Sequence, residues 1–344
     1  MGQFQWRSSL RIANQKPPEP HGRLDYLDNF RTFLTMIVIY HHMAIPYGGL
    51  GSWIYTSRIP FASFPLMAFN AINQTYFMGS FFFLSGYFSA RVWKKKGTAA
   101  FLQRKWVKLG IPAVVYTILA EPIQIALLMA YADQKLGFGI FPSYWRQLRG
   151  LRGPVWYCAL ALIFDIIYAF LPTLPDISSL GLLPILVLEI AASFLIRLWY
   201  PVGTTIQLLN LQPAYLPQYI SCYALGASLQ SPTPPFTETA RNNLMAASIA
   251  SFASILVLYS PAPYPDQIAS LFGGPNLLAF AYAVWNETTG YLLGNLILRV
   301  FITNKWLNRR WGIARAAYAA FLLHPVVCVA MQVWWDGWGG GGVV

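Results

Sequence analysis

Apolar runs dominate this chain and recur from one end to the other. The segments long enough to be read as membrane helices are 24–45, 66–92, 107–130, 155–172, 181–199, 214–230, 244–260, 276–302 and 316–335. A helix rises 1.5 Å per residue, so a hydrocarbon core ~30 Å thick takes roughly 20 residues, and about 17 at the least. Segments 155–172, 214–230 and 244–260 lie near that lower limit, and 66–92 is amphipathic at its start, as an interfacial piece would be. The pattern predicts an all-α, polytopic integral membrane protein with about 9–10 transmembrane helices. Residues 1–22 read as a polar, basic cytosolic tail, 23–338 as one membrane domain, and 339–344 as a glycine-rich end expected to be disordered. Ser231–Asn243 reads as a proline-rich connector, and no repeat of fixed period is visible.

Composition makes the membrane assignment firm. Of 344 residues, 56% are hydrophobic and only 10% charged, with a mean hydropathy of +0.45. Soluble domains carry about 25% charged residues, so that class is excluded. The aromatic content suits interfacial belts and a buried pocket equally. A net charge of +12 would suggest a nucleic-acid partner, but the basic residues stand at the ends of apolar segments, where they orient helices. No nucleic acid is expected. With the amino terminus in the cytosol, alternation leaves only Arg58, Lys135, Arg146, Arg149, Arg152 and Arg197 outside, while Arg31 lies within the first helix. The rest of the 24 Lys and Arg fall inside, which favours a multi-pass chain with a cytosolic amino terminus. The first residues lack a cleavable apolar leader, so targeting falls to the first membrane helix. Cys158, Cys222 and Cys328 lie in apolar segments at unrelated spacings, which fits packing rather than a disulfide framework or a metal site.

The ionisable residues inside the spans are Arg31, His41, His42, Glu121, Asp165, Glu189, Glu287 and His324. Each carries an insertion penalty, about 2.5–3.5 kcal/mol for arginine, and is a functional candidate for that reason. Arg31 and His42 have ten residues between them. Eleven steps of ~100° end about 20° past three turns, so both project from one face, ~16 Å apart along the axis. His41 lies off that face and suits packing. Glu189 and Asp165 fit neutral acids bonded between helices, and Glu121, before Pro122, fits a cap on a kink. Asn73-Gln74-Thr75 is a glycosylation sequon near the outer side, and Asn286-Glu287-Thr288 is another, deep in a span.

Further motifs complete a pattern. FFFLSGYFSA at 81–90 offers Ser85-Gly86 as a small spot for close approach. Gln103-Arg104-Lys105-Trp106 leads into Gly110-Ile111-Pro112, then come GPVWY at 153–157, Trp285-Asn286-Glu287, and YAAFLLHP at 318–325. Together with the Arg31–His42 pair, and in this order, these pieces resemble the membrane acyltransferase-3 family over roughly residues 24–330. The resemblance implies a ten-helix enzyme that moves an acyl group, usually acetyl from acetyl-CoA, onto an acceptor hydroxyl. It carries the family's Arg-x10-His signature directly onto Arg31 and His42, and Glu287 and His324 onto less sharply defined positions. The expected partners are membrane lipid, acyl-CoA as co-substrate, and a hydroxyl-bearing acceptor such as a sugar, a glycan or a lipophilic natural product. No bound cofactor and no metal are expected. The chain departs from the family after His324-Pro325, where a further helix is expected but only Val326–Trp338 and a glycine run remain.

The chemistry read from these residues is general-base catalysis. Neutral imidazole removes a hydroxyl proton near physiological pH, which suits His42, with Glu287 as its orienting carboxylate. The planar guanidinium of Arg31 suits the phosphates or carbonyls of the donor, with Ser85, Arg104 and Lys105 beside it. A multipass transporter whose intramembrane charges line a substrate path is the alternative.

Overall fold

The computed structural model describes residues 24–57, 63–132, 137, 139–147, 150–171, 177–229, 237–259 and 265–339. The tail 1–22, the end 340–344, loop residues 231–236, and Arg58, Lys135 and Arg149 lie outside the described residues. The helices are α1 (Asp25–Ala44), α2 (Phe64–Lys96), α3 (Thr98–Lys105), α4 (Ile111–Tyr131), α5 (Ile140–Arg146) and α6 (Val155–Phe170). They continue with α7 (Leu182–Arg197), α8 (Leu216–Ser228), α9 (Glu238–Tyr259), α10 (Pro265–Phe272), α11 (Leu277–Thr303) and α12 (Ala317–Gly339). Among the described residues no strand forms, and the single isolated bridge joins Ile206 to Leu211. The protein is an all-α integral membrane protein. Thr98–Tyr131, Glu238–Leu258 and Ala317–Gly337 are long and apolar enough to cross a bilayer on length and composition alone.

Each apolar segment of the sequence became a helix, and the ends moved for physical reasons. α3 and α4 are one rod joined by a π-helical turn, Trp106–Gly110, so the helix extends back through basic residues that break the apolar run. That extension is anchored by Phe101, which is fully buried, and by Lys105, which reaches inward to Asp165. α9 starts at Glu238, inside the stretch expected to be a connector. α12 runs through Pro325 without dividing, so His324 sits in the first half of a long last helix.

Glycines set the closest contacts. A Cβ on Gly86 would strike the Tyr223 carbonyl, and one on Gly226 would strike the Phe83 carbonyl, so α2 and α8 meet backbone to backbone at this pair. α1 packs against α2, α11 and α12. Its first turn is tied down by Asn29, whose amide donates to the Leu307 and Arg309 carbonyls at 2.7 and 2.6 Å. Val114, Val115, Ile118 and Leu119 on α4 and Leu183, Val187 and Leu188 on α7 face outward, as a lipid-contacting surface requires. Glu121, Asp165, Glu189, Arg197, Glu287 and His324 face inward and are buried.

Candidate active site

His42 lies in the last turn of α1 and is held from three sides. Its Nδ1 is 2.8 Å from Nε2 of His324 on α12. The ring centres are 5.0 Å apart and the planes 6° apart. With nitrogens so close, that separation sets the rings edge to edge, the alignment in which a ring N–H points at a ring lone pair. The indole of Trp53 stacks on the other side of His42, 4.4 Å between centroids. Gln332 joins the parts, accepting from Trp53 Nε1 at 2.8 Å and donating to the His42 carbonyl at 3.2 Å. His41 packs edge-on to His42 and against Phe77, in keeping with a supporting role.

Trp53 belongs to the link between α1 and α2, which turns at Gly48 in the left-handed region, φ 103°. The link is fastened to the far end of α12 by Asp336, which accepts from Tyr47 at 3.2 Å, Ser57 at 2.7 Å and Tyr55. Burial first and Asp336 next push the Tyr47 and Tyr55 phenols above their ordinary range, so both remain donors.

His42 opens on a cavity of about 440 Å³, within the range of small-molecule sites. Aromatic side chains line part of it, among them Trp53, Phe77, Trp156, Tyr215 and Tyr219. Gln74, Glu121, Gln124, Arg152, Asn210 and Gln212 give the rest a polar lining. Glu121 does not cap the Pro122 kink: its carboxylate accepts from the Tyr144 hydroxyl at 2.8 Å and lies 3.7 Å from Arg152 Nε. Phe321, which lines the cavity, also packs with Phe81 and Tyr157, with centroids 5.5–5.6 Å apart. The Tyr157 hydroxyl is 2.6 Å from Ser85 Oγ.

At the other end of α1, Arg31 is about one-third exposed, 3.3 Å from Asp28 and 4.9 Å from the Phe88 ring centre. Arg104 is exposed on α3. Lys105 instead turns inward, 2.8 Å from Asp165 and 2.5 Å from Ser89, and Asp165 also accepts from Tyr223 at 2.7 Å. Asp165 is therefore an ion-paired carboxylate, not the neutral acid expected of it.

Glu287 is fully buried away from these groups. It accepts from Ser193 at 2.8 Å, Gln218 at 2.9 Å and Asn286 at 3.1 Å, and Arg197 lies 3.6 Å from it. Arg197 stands over the rings of Tyr215 and Tyr282. Tyr215, whose ring lies under Arg197, also lines the cavity, as does its neighbour Tyr219. Sequence reasoning counted Arg197 as a topology charge because it closes an apolar segment; the structure buries it completely. Nearby, Glu189 accepts from Tyr291 at 2.8 Å and from Ser221, bonds between helices as expected. Asn73 is buried within α2 and accepts from Tyr76, which removes it as an accessible sequon.

The structure thus brings His42 and His324 together, leaves Arg31, Arg104 and Ser85 toward the opposite end of α1, and sets Glu287 in a network of its own. The pairing of the two histidines has no local signal, since 282 residues separate them. A family model described as an acyltransferase domain matches residues 24–342. No curated protein and no solved structure matches the chain.

Proposed function

The chain belongs to the acyltransferase-3 family, and on that footing we propose that it is a membrane-embedded O-acyltransferase, moving an acyl group, acetyl first of all, from acyl-CoA to a hydroxyl of a small molecule or glycan. The observation that carries this reading is the His42–His324 pair at the wall of a cavity large enough for an acceptor. With the amino terminus cytosolic, as the basic residues favour, Arg31 faces the compartment that holds acyl-CoA and the cavity faces the other side. Arg31 and the exposed Arg104 take the donor's phosphates, and Lys105, closed on Asp165, fixes the helix that carries Arg104. The ~16 Å along α1 from Arg31 to His42 is about the span of a pantetheine arm. That arm passes Ser85 and Tyr157, and the Phe81–Tyr157–Phe321 contact parts to admit it.

In the chemical step His42 removes the acceptor's hydroxyl proton as the oxygen attacks the thioester carbonyl. The tetrahedral intermediate collapses with cleavage of the C–S bond, and the proton on His42 passes to the departing thiolate. The products are an ester and free CoA thiol. A mixed lining of amides, one carboxylate and aromatic rings suits a compact acceptor that carries several hydroxyls. Glu287 acts from behind Tyr215 and Tyr219 as a support of the cavity wall.

Membranes containing the protein, given labelled acetyl-CoA and a panel of sugars and lipophilic alcohols, should yield an acylated product that is lost in His42→Ala at unchanged protein abundance. Product from His42→Ala at the wild-type rate would reject His42 as the base. Uptake of a solute with no acylated product would point to transport instead.

A further inference from the structure

A proline inside a helix leaves unbonded the carbonyl four residues before it, because its nitrogen carries no hydrogen. In α12 that proline is Pro325 and the carbonyl is that of Phe321. A backbone acceptor within a membrane bundle must find another donor. Here the donor is His324 itself, whose Nδ1 lies 2.7 Å from the Phe321 oxygen.

This one contact fixes the protons along the pair. A carbonyl only accepts, so Nδ1 of His324 carries the hydrogen and, in the neutral ring, Nε2 is the acceptor. Nε2 of His324 is the atom 2.8 Å from Nδ1 of His42, so His42 carries its hydrogen on Nδ1. The lone pair of His42 is then on Nε2, on the ring that lines the cavity. We infer that His324, through the carbonyl that Pro325 releases, is a positioning residue that holds His42 in its Nδ1–H tautomer with Nε2 as the base. A second imidazole backed by a backbone oxygen thus does what a carboxylate does in a serine-protease triad. When His42 takes up the substrate proton, its Nδ1–H bond to His324 becomes charge-assisted, which favours the charged intermediate over the resting state. Trp53 and Gln332 keep the His42 ring and backbone in register while this happens.

The inference rests on the acyl-transfer reading, and its test separates the two. His324→Leu keeps bulk but offers no acceptor; kcat should fall tenfold to a hundredfold, less than the ~10²–10⁴ that a general base supplies in all, with KM for donor and acceptor unchanged. His324→Gln can set an amide oxygen near the place of Nε2 and should restore most of kcat. Pro325→Ala returns an N–H to the Phe321 carbonyl, so His324 loses sole use of it, and kcat should fall about threefold to tenfold with protein abundance kept. Nitrogen NMR of histidine-labelled protein should show His42 protonated at Nδ1 in the wild type and a mixture of tautomers in Pro325→Ala. Wild-type kcat in His324→Leu while His42→Ala is inactive would overturn this inference alone, as would a His42 protonated at Nε2 in the resting wild type. An active His42→Ala would instead overturn the base assignment on which it rests.

Discussion

Two groups of ionisable side chains are withdrawn from solvent in this bundle, and they are completed differently. Glu287 is surrounded: Ser193, Gln218 and Asn286 donate to it, the Glu189 carboxyl group lies against it, and Arg197, fully buried like Glu287, stands 3.6 Å away. His42 is bound on one edge, by His324, and covered on one face, by Trp53, while the ring still borders a cavity. A buried carboxylate ringed by donors stabilises a helix arrangement; an imidazole beside a cavity suits the base proposed above. Both residues are expensive in an apolar helix, so cost alone does not separate structure from chemistry. What surrounds each residue does: donors around Glu287, a cavity beside His42.

Substitution at His42 should have the largest effect, and only on rate. His42→Ala should lower kcat by ~10²–10⁴ while leaving the amount of folded protein in the membrane as it was. Glu287→Leu should do the reverse, because Arg197 would remain buried without its counter-charge. The loss is about 3–5 kcal/mol of stability, read as a lower Tm in detergent and less protein in the membrane. Glu287→Gln keeps hydrogen-bonding capacity and should retain kcat per folded molecule. A kcat loss in Glu287→Gln at full stability would place Glu287 with His42 and erase the distinction.

The same contrast explains what could be read from the sequence. Apolar runs near 20 residues have few alternatives, so every predicted span is a helix in the structure. Gly86 was legible too, since a glycine in such a run suggests close approach, and Tyr223 on α8 supplies it. Partnerships were not legible. The Arg31–His42 spacing shows which residues share a helix face, but the partner of His42 comes from the last helix, and no spacing rule joins α1 to α12. Lys105 and Arg197 share one ambiguity: at the end of an apolar segment, a basic residue that reaches inward looks identical to one that faces water. Only the positions of Asp165 and Glu287 distinguish them.

Arg31 should yield a smaller effect of a different kind. Its guanidinium is about one-third exposed and already meets Asp28, so the donor contact proposed for it would be screened. Arg31→Ala should raise KM for acyl-CoA about fivefold to tenfold and change KM for the acceptor little. A fall in kcat comparable to that of His42→Ala would instead put Arg31 in the chemical step.

The smallest effect should come from the link over His42. Asp336 gathers Tyr47, Tyr55 and Ser57, and so holds Trp53 where it can stack on the imidazole. Asp336→Asn keeps one carbonyl oxygen but replaces the other with a donor, which faces hydroxyls that now donate to it. At least one of the three bonds must be rearranged or lost, and the link loosens without leaving α12, because the bond from Trp53 to Gln332 remains. The expected outcome is a twofold to threefold fall in kcat, with donor KM unchanged and faster hydrogen exchange in residues 48–57. Unchanged exchange there would show that Gln332 and the stacked rings hold the link by themselves, and that Asp336 serves only to finish the end of α12.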